Sequence, residues 1–427
     1  MRNLVLGIFT AAALTWAGGA AAQAIESPLE ARAAGADALD AAGLVELGDL
    51  YVEAMQLDEA RRLYREALKL EKKYGEAEFG LARIDMARGK LEKSKRACRG
   101  VWRRHKSESV GDVCSGWVWL TFDRSARALD EFKKALDKGD TARGQLGMAE
   151  AYRRRVAYDD AVAAYRAALD AGAGYRAHLG LGLALEGKRD REGAVAALRR
   201  AVEAEPASCE ARYHLGRVLG EGPEAVTQLR TALAIRPDWA DAHQALGDAL
   251  LEAGDFAGAE RAFEDALAAE ADRGTAHLGL GKALYGQEKT TEAREHLERA
   301  IEMVPNLVDA YLLIADIDYA SGDSDAALEA LDKAKSMAPG VVKVYLHTGE
   351  TYFRLGRYTS ANSHLKQAVS MKPDLSLAHV ILGDIACERR LYDRGQQHFA
   401  DALAGDMQGV SAADIQKRQA QCKPKHP

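Results

Sequence analysis

The sequence predicts an all-α fold, a solenoid of stacked antiparallel helix pairs, and three observations carry that reading. The composition is helical: of 427 residues 48% are hydrophobic, only nine are Pro and only 7% are aromatic, where a sandwich or barrel would need dense turns and β-branched strands. Self-similarity recurs at a period near 34 residues, the mark of a repeat architecture. Within each period the apolar residues fall on one stripe of a first helix and one stripe of a second. A hydrophobic share this high excludes a disordered chain. The net charge of −6 names no partner, and five Cys are too few for a disulfide scaffold.

Residues 1–24 read as a secretory signal. Arg2 gives a positive start, Leu4 to Trp16 is an uncharged and largely apolar run, and Ala22-Gln23-Ala24 has the small-residue pattern of a cleavage site. The run is shorter than the roughly 20 residues a spanning helix needs, so cleavage is expected after Ala24, or after Ala22. A lipid anchor is not expected, because the first Cys is Cys98. The expected location is the periplasm or the cell exterior, with no transmembrane segment after cleavage. Residues 25–40 read as a linker with a candidate N-terminal cap at Leu29 to Leu39.

Eleven copies of the repeat follow over residues 41–409, starting at Ala41, Gly75, Ser109, Ala142, Tyr175, Cys209, Ala240, Gly274, Val308, Val342 and Ser376. Column 8 is Gly or Ala in every copy, from Gly48 and Ala82 to Gly349 and Gly383, and column 27 is Ala in all but the second, which has Val101. Columns 4, 7, 8 and 11 share one face of the first helix, and columns 20, 24 and 27 share one face of the second. Glycine costs a helix up to about 1 kcal/mol relative to alanine, so its recurrence at column 8 points to close approach of two helix axes. Column 32 supplies a helix-ending Pro in Pro206, Pro305, Pro339 and Pro373, with Pro237 equivalent in the short sixth copy. One pair cannot bury its apolar face alone, whereas stacked neighbours can. Residues 410–427 read as a C-terminal cap helix and tail, with Ile415 its apolar residue.

These columns resemble the tetratricopeptide repeat over most of the chain. The resemblance implies a right-handed superhelix whose concave groove holds a peptide or a protein segment. Two copies depart from the pattern. The sixth is shortened around Gly220, Gly222 and Pro223, which trims its first helix by most of a turn. The third has Ser115 at column 7 with Cys114, Trp117 and Trp119 crowding one helix, read either as repacking or as an apolar contact surface.

Catalysis is poorly supported, since no P-loop, G-x-S-x-G, H-E-x-x-H or C-x-x-C pattern occurs. Neither a cofactor nor a metal is expected. His178, His243, His277 and His379 all occupy column 4, and successive copies lie about 10 Å apart, too far for neighbouring imidazoles to share one zinc. Charge is uneven: Arg83 to Glu108 holds ten basic residues against three acidic ones. This run includes Lys93, Lys95, Arg96, Arg99, Arg103 and Arg104, and reads first as a solvated face and second as a site for an anionic surface. Nucleic acid is not an expected partner, for want of interleaved aromatics. Cys98 with Cys114, and Cys387 with Cys422, are candidate disulfides that leave Cys209 odd; buried free thiols are the alternative, and four Cys allow three pairings.

The ligand groove is placed on columns 2, 5, 9 and 12, which intra-repeat packing leaves free. In the late copies these columns carry Leu278, Lys282, Tyr285, Leu312, Asp316, Tyr319, Leu346, Glu350, Phe353 and Asp384. An apolar floor flanked mostly by carboxylates suits a segment with alternating apolar and basic residues. A second candidate patch is Phe79, Met86, Trp117 and Leu120. The carboxylate clamp of some relatives is unmatched, because the only Asn in the repeats, Asn306 and Asn362, lie off these columns. The function expected is a non-enzymatic, exported scaffold with a protein or peptide partner. The alternative is a fixed subunit of a cell-envelope assembly for secretion, pili or outer-membrane building; an envelope enzyme is a distant third.

Overall fold

A computed structural model describes residues 27–407 and 410–423; the proposed leader lies outside these residues. Every regular element among them is helical: a short helix Pro28–Ala33, a 3₁₀ turn Ala36–Ala38, eleven helix pairs, and a closing helix Ala412–Gln421. The first helices of the pairs begin at Ala41, Gly75, Val110, Thr141, Gly174, Cys209, Ala240, Gly274, Val308, Val342 and Ser376, each within one residue of the start read from the sequence. In the sixth copy the first helix is Cys209–Leu219, only 11 residues. Gly220 (φ 72°) ends it and Pro223 opens the next helix, where a missing N–H costs nothing. No helix among the described residues is long and apolar enough to cross a membrane.

The turn inside each pair obeys a rule that the column reading did not reveal. Its fifteenth position is left-handed in ten copies, at Met55, Gly89, Asp123, Val156, Arg189, Gly254, Glu288, Gly322, Gly356 and Arg390. Only four of these ten are glycine. A side chain there costs about 1–2 kcal/mol, and the branched Val156 at φ 62° is the most strained type.

Packing between copies couples two columns. Tyr64, Phe132 and Tyr165 at column 24 are at most 1% exposed. In copies one and three the ring lies against the column 8 glycine of its own copy, Gly48 or Gly116, and the column 6 glycine of the next, Gly80 or Gly147; Tyr165 lies against Gly180 in the same way. A Cβ at any of these five glycines would overlap the ring at less than 3 Å. Where column 24 is smaller, column 6 of the following copy is larger, as in Leu198 with His214, Leu331 with His347, and Leu365 with Ile381. The same two columns carry Cys98 and Cys114, joined here as a disulfide with Cα atoms 5.4 Å apart. The bridge therefore occupies the place of the wedged aromatic.

Where the sequence reads one array, the chain divides into two compact units, one running to Ala271 and one from Asp272 onward. In the first unit the opening copy meets the fifth and sixth: Leu29, Leu44, Leu47 and Leu50 share a core with Ala207, Cys209 and Ile235. In the second, helix Ala412–Gln421 covers the last copy. Ser411 caps it by accepting from the Asp414 N–H, Ile415 is 1% exposed, and Cys422 is bonded to Cys387. Gln396 adds two donations, to the carbonyls of Gln419 and Cys422 at 2.9 and 2.8 Å.

Candidate functional site

The face proposed as a groove belongs to the second unit and is built from helices Gly274–Gly286, Val308–Ser321, Val342–Arg354 and Ser376–Glu388. Tyr285, Tyr319 and Phe353 are each half-buried, as are Leu278 and Leu346. Three half-open aromatics at equivalent positions of consecutive copies are the most prominent feature of this face. Leu312 is a correction: at 4% exposure it belongs to the core beneath the floor. Phe353 rests on Tyr358 with ring centres 5.8 Å apart, and the Arg354 guanidinium lies 5.5 Å from the centre of the Tyr319 ring, a cation–π contact.

The charges flanking this floor are not left open for a basic partner, which corrects the expected selectivity. Lys282 pairs with Asp309 at 3.0 Å, Glu350 with Arg354 at 2.5 Å, and Asp384 with Arg418 from the closing helix. Asp316 faces His347 at 3.8 Å. Burial alone would lower the His347 pKa, but Asp316 and Glu350 outweigh it and the imidazole is held above its usual value. Burial and Asp316 raise the Tyr285 hydroxyl. Column reasoning missed His347 because column 6 is a packing column elsewhere, and it missed Arg418 because that residue arrives from outside the repeats.

In the first unit the equivalent face is filled by the chain itself. Asp49 accepts from Tyr64 Oη at 2.5 Å and pairs with Arg83 and Arg176 at 2.5 and 2.9 Å. Glu53, 8% exposed, accepts from Tyr175 Oη at 2.5 Å and from Ser208 Oγ at 2.8 Å. Burial would raise the Asp49 carboxyl, yet the two guanidiniums hold it below the ordinary value. For Glu53 burial wins over Arg176 and the two hydroxyls, and its carboxyl is raised. This network ties the opening copy to copies two and five, and its Ser208 caps the helix Cys209–Leu219 that opens copy six. Charged residues at columns 2, 9 and 13 were its only signal in the sequence.

The second candidate patch is a packing layer. Leu120 is wholly buried, Phe79 and Met86 lie against the core around Cys98 and Cys114, and Trp117 meets Phe132 edge-on at 6.0 Å. The basic run beside it is largely engaged: Lys93 with Asp85 at 2.9 Å, Arg104 with Glu78 at 2.9 Å, and Lys95 over the Trp119 ring at 5.6 Å. Arg99, Lys106 and Lys138 line an open cleft of about 700 Å³ together with Asp112 and Glu131. The column 4 histidines form no ladder. His243 and His379 each bind the carbonyl of the proline six residues before them, at 2.7 and 2.9 Å, while His277 meets His296 of its own copy at 3.0 Å.

Helix pairs stacked in this way define an α-solenoid repeat protein, a class that presents extended surfaces for binding. The chain belongs to the tetratricopeptide repeat family: models of that repeat match residues 51–109, 120–176, 179–242, 245–308, 278–342 and 346–410. No curated protein matches the sequence. Among solved structures, yeast Tom70 is similar at 14% identity and a TM-score of 0.47, over 90% of this chain and 95% of that one. A tetratricopeptide repeat protein from Parabacteroides merdae is similar at 18% identity and a TM-score of 0.49, over 58% and 98%. For pilF of Pseudomonas aeruginosa the figures are 22%, 0.41, 48% and 94%.

Proposed function

We propose that this protein is an exported, non-enzymatic scaffold that holds a protein or peptide segment on the inner face of its second unit. The observation that carries the reading is the row of half-open aromatics, Tyr285, Tyr319 and Phe353, on a face whose counterpart in the first unit is occupied by internal ion pairs. Because the flanking charges already have partners, recognition rests on apolar anchors, and salt affects capture weakly. Burying an aromatic anchor contributes about 2 kcal/mol or more at a hot spot. The double variant Tyr319→Ala/Phe353→Ala is therefore expected to lose captured partner in cross-linking mass spectrometry of envelope extracts, with helical content retained. Unchanged capture would remove this face from consideration. Partners that exchange support a binding scaffold, whereas one stoichiometric and permanent partner supports a fixed subunit.

Export is supported by the character of residues 1–24 and by two cysteine pairs placed at bonding distance, a pattern suited to an oxidising compartment. Intact-mass analysis of the protein from its native source is expected to give a chain starting near Ile25, without lipid and four hydrogens lighter than its reduced form. A retained Met1, or four free thiols among Cys98, Cys114, Cys387 and Cys422, would overturn this part of the reading.

A further inference from the structure

We propose that His379, His398 and Asp401 form a binding site for a divalent transition-metal ion of the zinc class, joining the two helices of the last copy. His379 projects from helix Ser376–Glu388, and His398 and Asp401 project from helix Tyr392–Ala404, three residues apart and so on one face. The Nδ1 atoms of the two histidines are 3.4 Å apart, and His379 Nδ1 lies 3.8 Å from Asp401 Oδ2. One donor atom from each of the three residues falls within 4.8 Å of the others. Tetrahedral zinc with bonds near 2.0–2.1 Å places its ligand atoms about 3.3 Å apart, so side-chain shifts of at most about 1.5 Å bring all three onto one ion.

The surroundings orient the donors as second partners do in metal sites. His379 Nε2 lies 2.9 Å from the Pro373 carbonyl; since a carbonyl only accepts, the proton sits on Nε2 and the Nδ1 lone pair faces His398 and Asp401. Asp401 Oδ1 accepts from Gln397 Nε2 at 2.8 Å, which leaves Oδ2 for the site. His379 is buried, while His398 and Asp401 are half-exposed, so an ion has a route in and water can complete its coordination. Two imidazoles and one carboxylate suit zinc, copper(II) or nickel(II) rather than magnesium or calcium, which take oxygen donors.

The other copies act as internal controls, because the three positions are columns 4, 23 and 26. The seventh copy has His243 and Asp265 but Ala262 at column 23. The eighth has His277 and His296, with Nδ1 atoms 3.0 Å apart, but Arg299 where Asp401 stands, and a guanidinium repels a metal cation. The fifth has His178 with Ala197 and Arg200. Only the eleventh copy assembles all three donors. The expectation that histidine has no metal role considered ligands from successive copies; the geometry instead joins ligands within one copy.

The test uses the untagged chain with its disulfides intact, dialysed against zinc chloride and analysed for bound metal. The unaltered protein and His296→Ala are expected to hold one zinc per chain, and His398→Ala and the near-isosteric Asp401→Asn to bind it at least about tenfold more weakly, with circular dichroism unchanged. Cobalt(II) in place of zinc is expected to give the visible bands of a four-coordinate ion, lost in His398→Ala. Absence of stoichiometric zinc in the unaltered protein, or zinc retained in full by both His398→Ala and Asp401→Asn, would overturn the site and leave the histidine pair as a hydrogen bond.

Discussion

Replacing Arg176 by Ala is expected to destabilise the first unit by about 3 kcal/mol, the lower end of the cost of breaking a buried ion pair, because the Arg176 side chain is 32% exposed. The guanidinium lies 2.9 Å from Asp49 and 3.9 Å from Glu53. Its removal leaves Asp49 with Arg83 and the Tyr64 hydroxyl, and Glu53 with only hydroxyl donors. The loss should depend on pH. Burial already raises the Glu53 carboxyl above its ordinary value, so at Glu53 the fold binds more protons than the unfolded chain, and the contribution of Glu53 falls as pH rises. A protonated Glu53 needs no counter-charge, so the deficit of Arg176→Ala should be smaller near pH 5 than near pH 8. Urea unfolding at the two pH values measures this, and amide exchange should show protection lost first in Ala41–Glu53 and Cys209–Leu219, the helices the network joins. An equal deficit at both pH values would show that Glu53 is not the group left unpaired.

Gly147→Val is expected to cost about 3 kcal/mol or more, at the upper end for overpacking a core. A Cβ at this position would overlap the Phe132 ring, which is fully buried and already wedged against Gly116. The gain in helix propensity from removing a glycine, under about 1 kcal/mol, is too small to offset the clash. The paired columns also predict a rescue. Other copies set leucine at column 24 against larger residues at column 6, so adding Phe132→Leu to Gly147→Val should recover at least half of the loss, although Phe132→Leu alone destabilises. Calorimetry of the four proteins in the cycle measures the coupling; strictly additive effects would show that the two columns do not share one volume.

Much of this protein was legible from residues 41–409 alone, because a repeat makes its contacts locally. Column 8 glycines, column 27 alanines and the prolines that end second helices act within one copy or on the next, so eleven helix starts could be placed to within one residue. The cysteine pairs were legible as candidates for the same reason, each joining one copy to the segment that directly follows it. The left-handed turns were not, since six of ten such positions carry side chains that give no local sign of that backbone. The groove was legible as a set of columns but not as a chemical surface. Its carboxylates face His347, Arg354 and Arg418, two of them from columns with other roles and one from the closing helix.

The sequence by itself determined the helix pairs, their order and the faces they bury, because 3.6-residue periodicity and nearest-neighbour packing are properties of adjacent segments. Only the tertiary structure decided that copy one closes on copies five and six, burying Asp49 and Glu53 with Arg176, and that His398 and Asp401 come together beneath His379. Closure depends on small rotations accumulated over several copies, and donor geometry depends on side-chain directions across two helices. Neither quantity is written in the pattern of any one repeat.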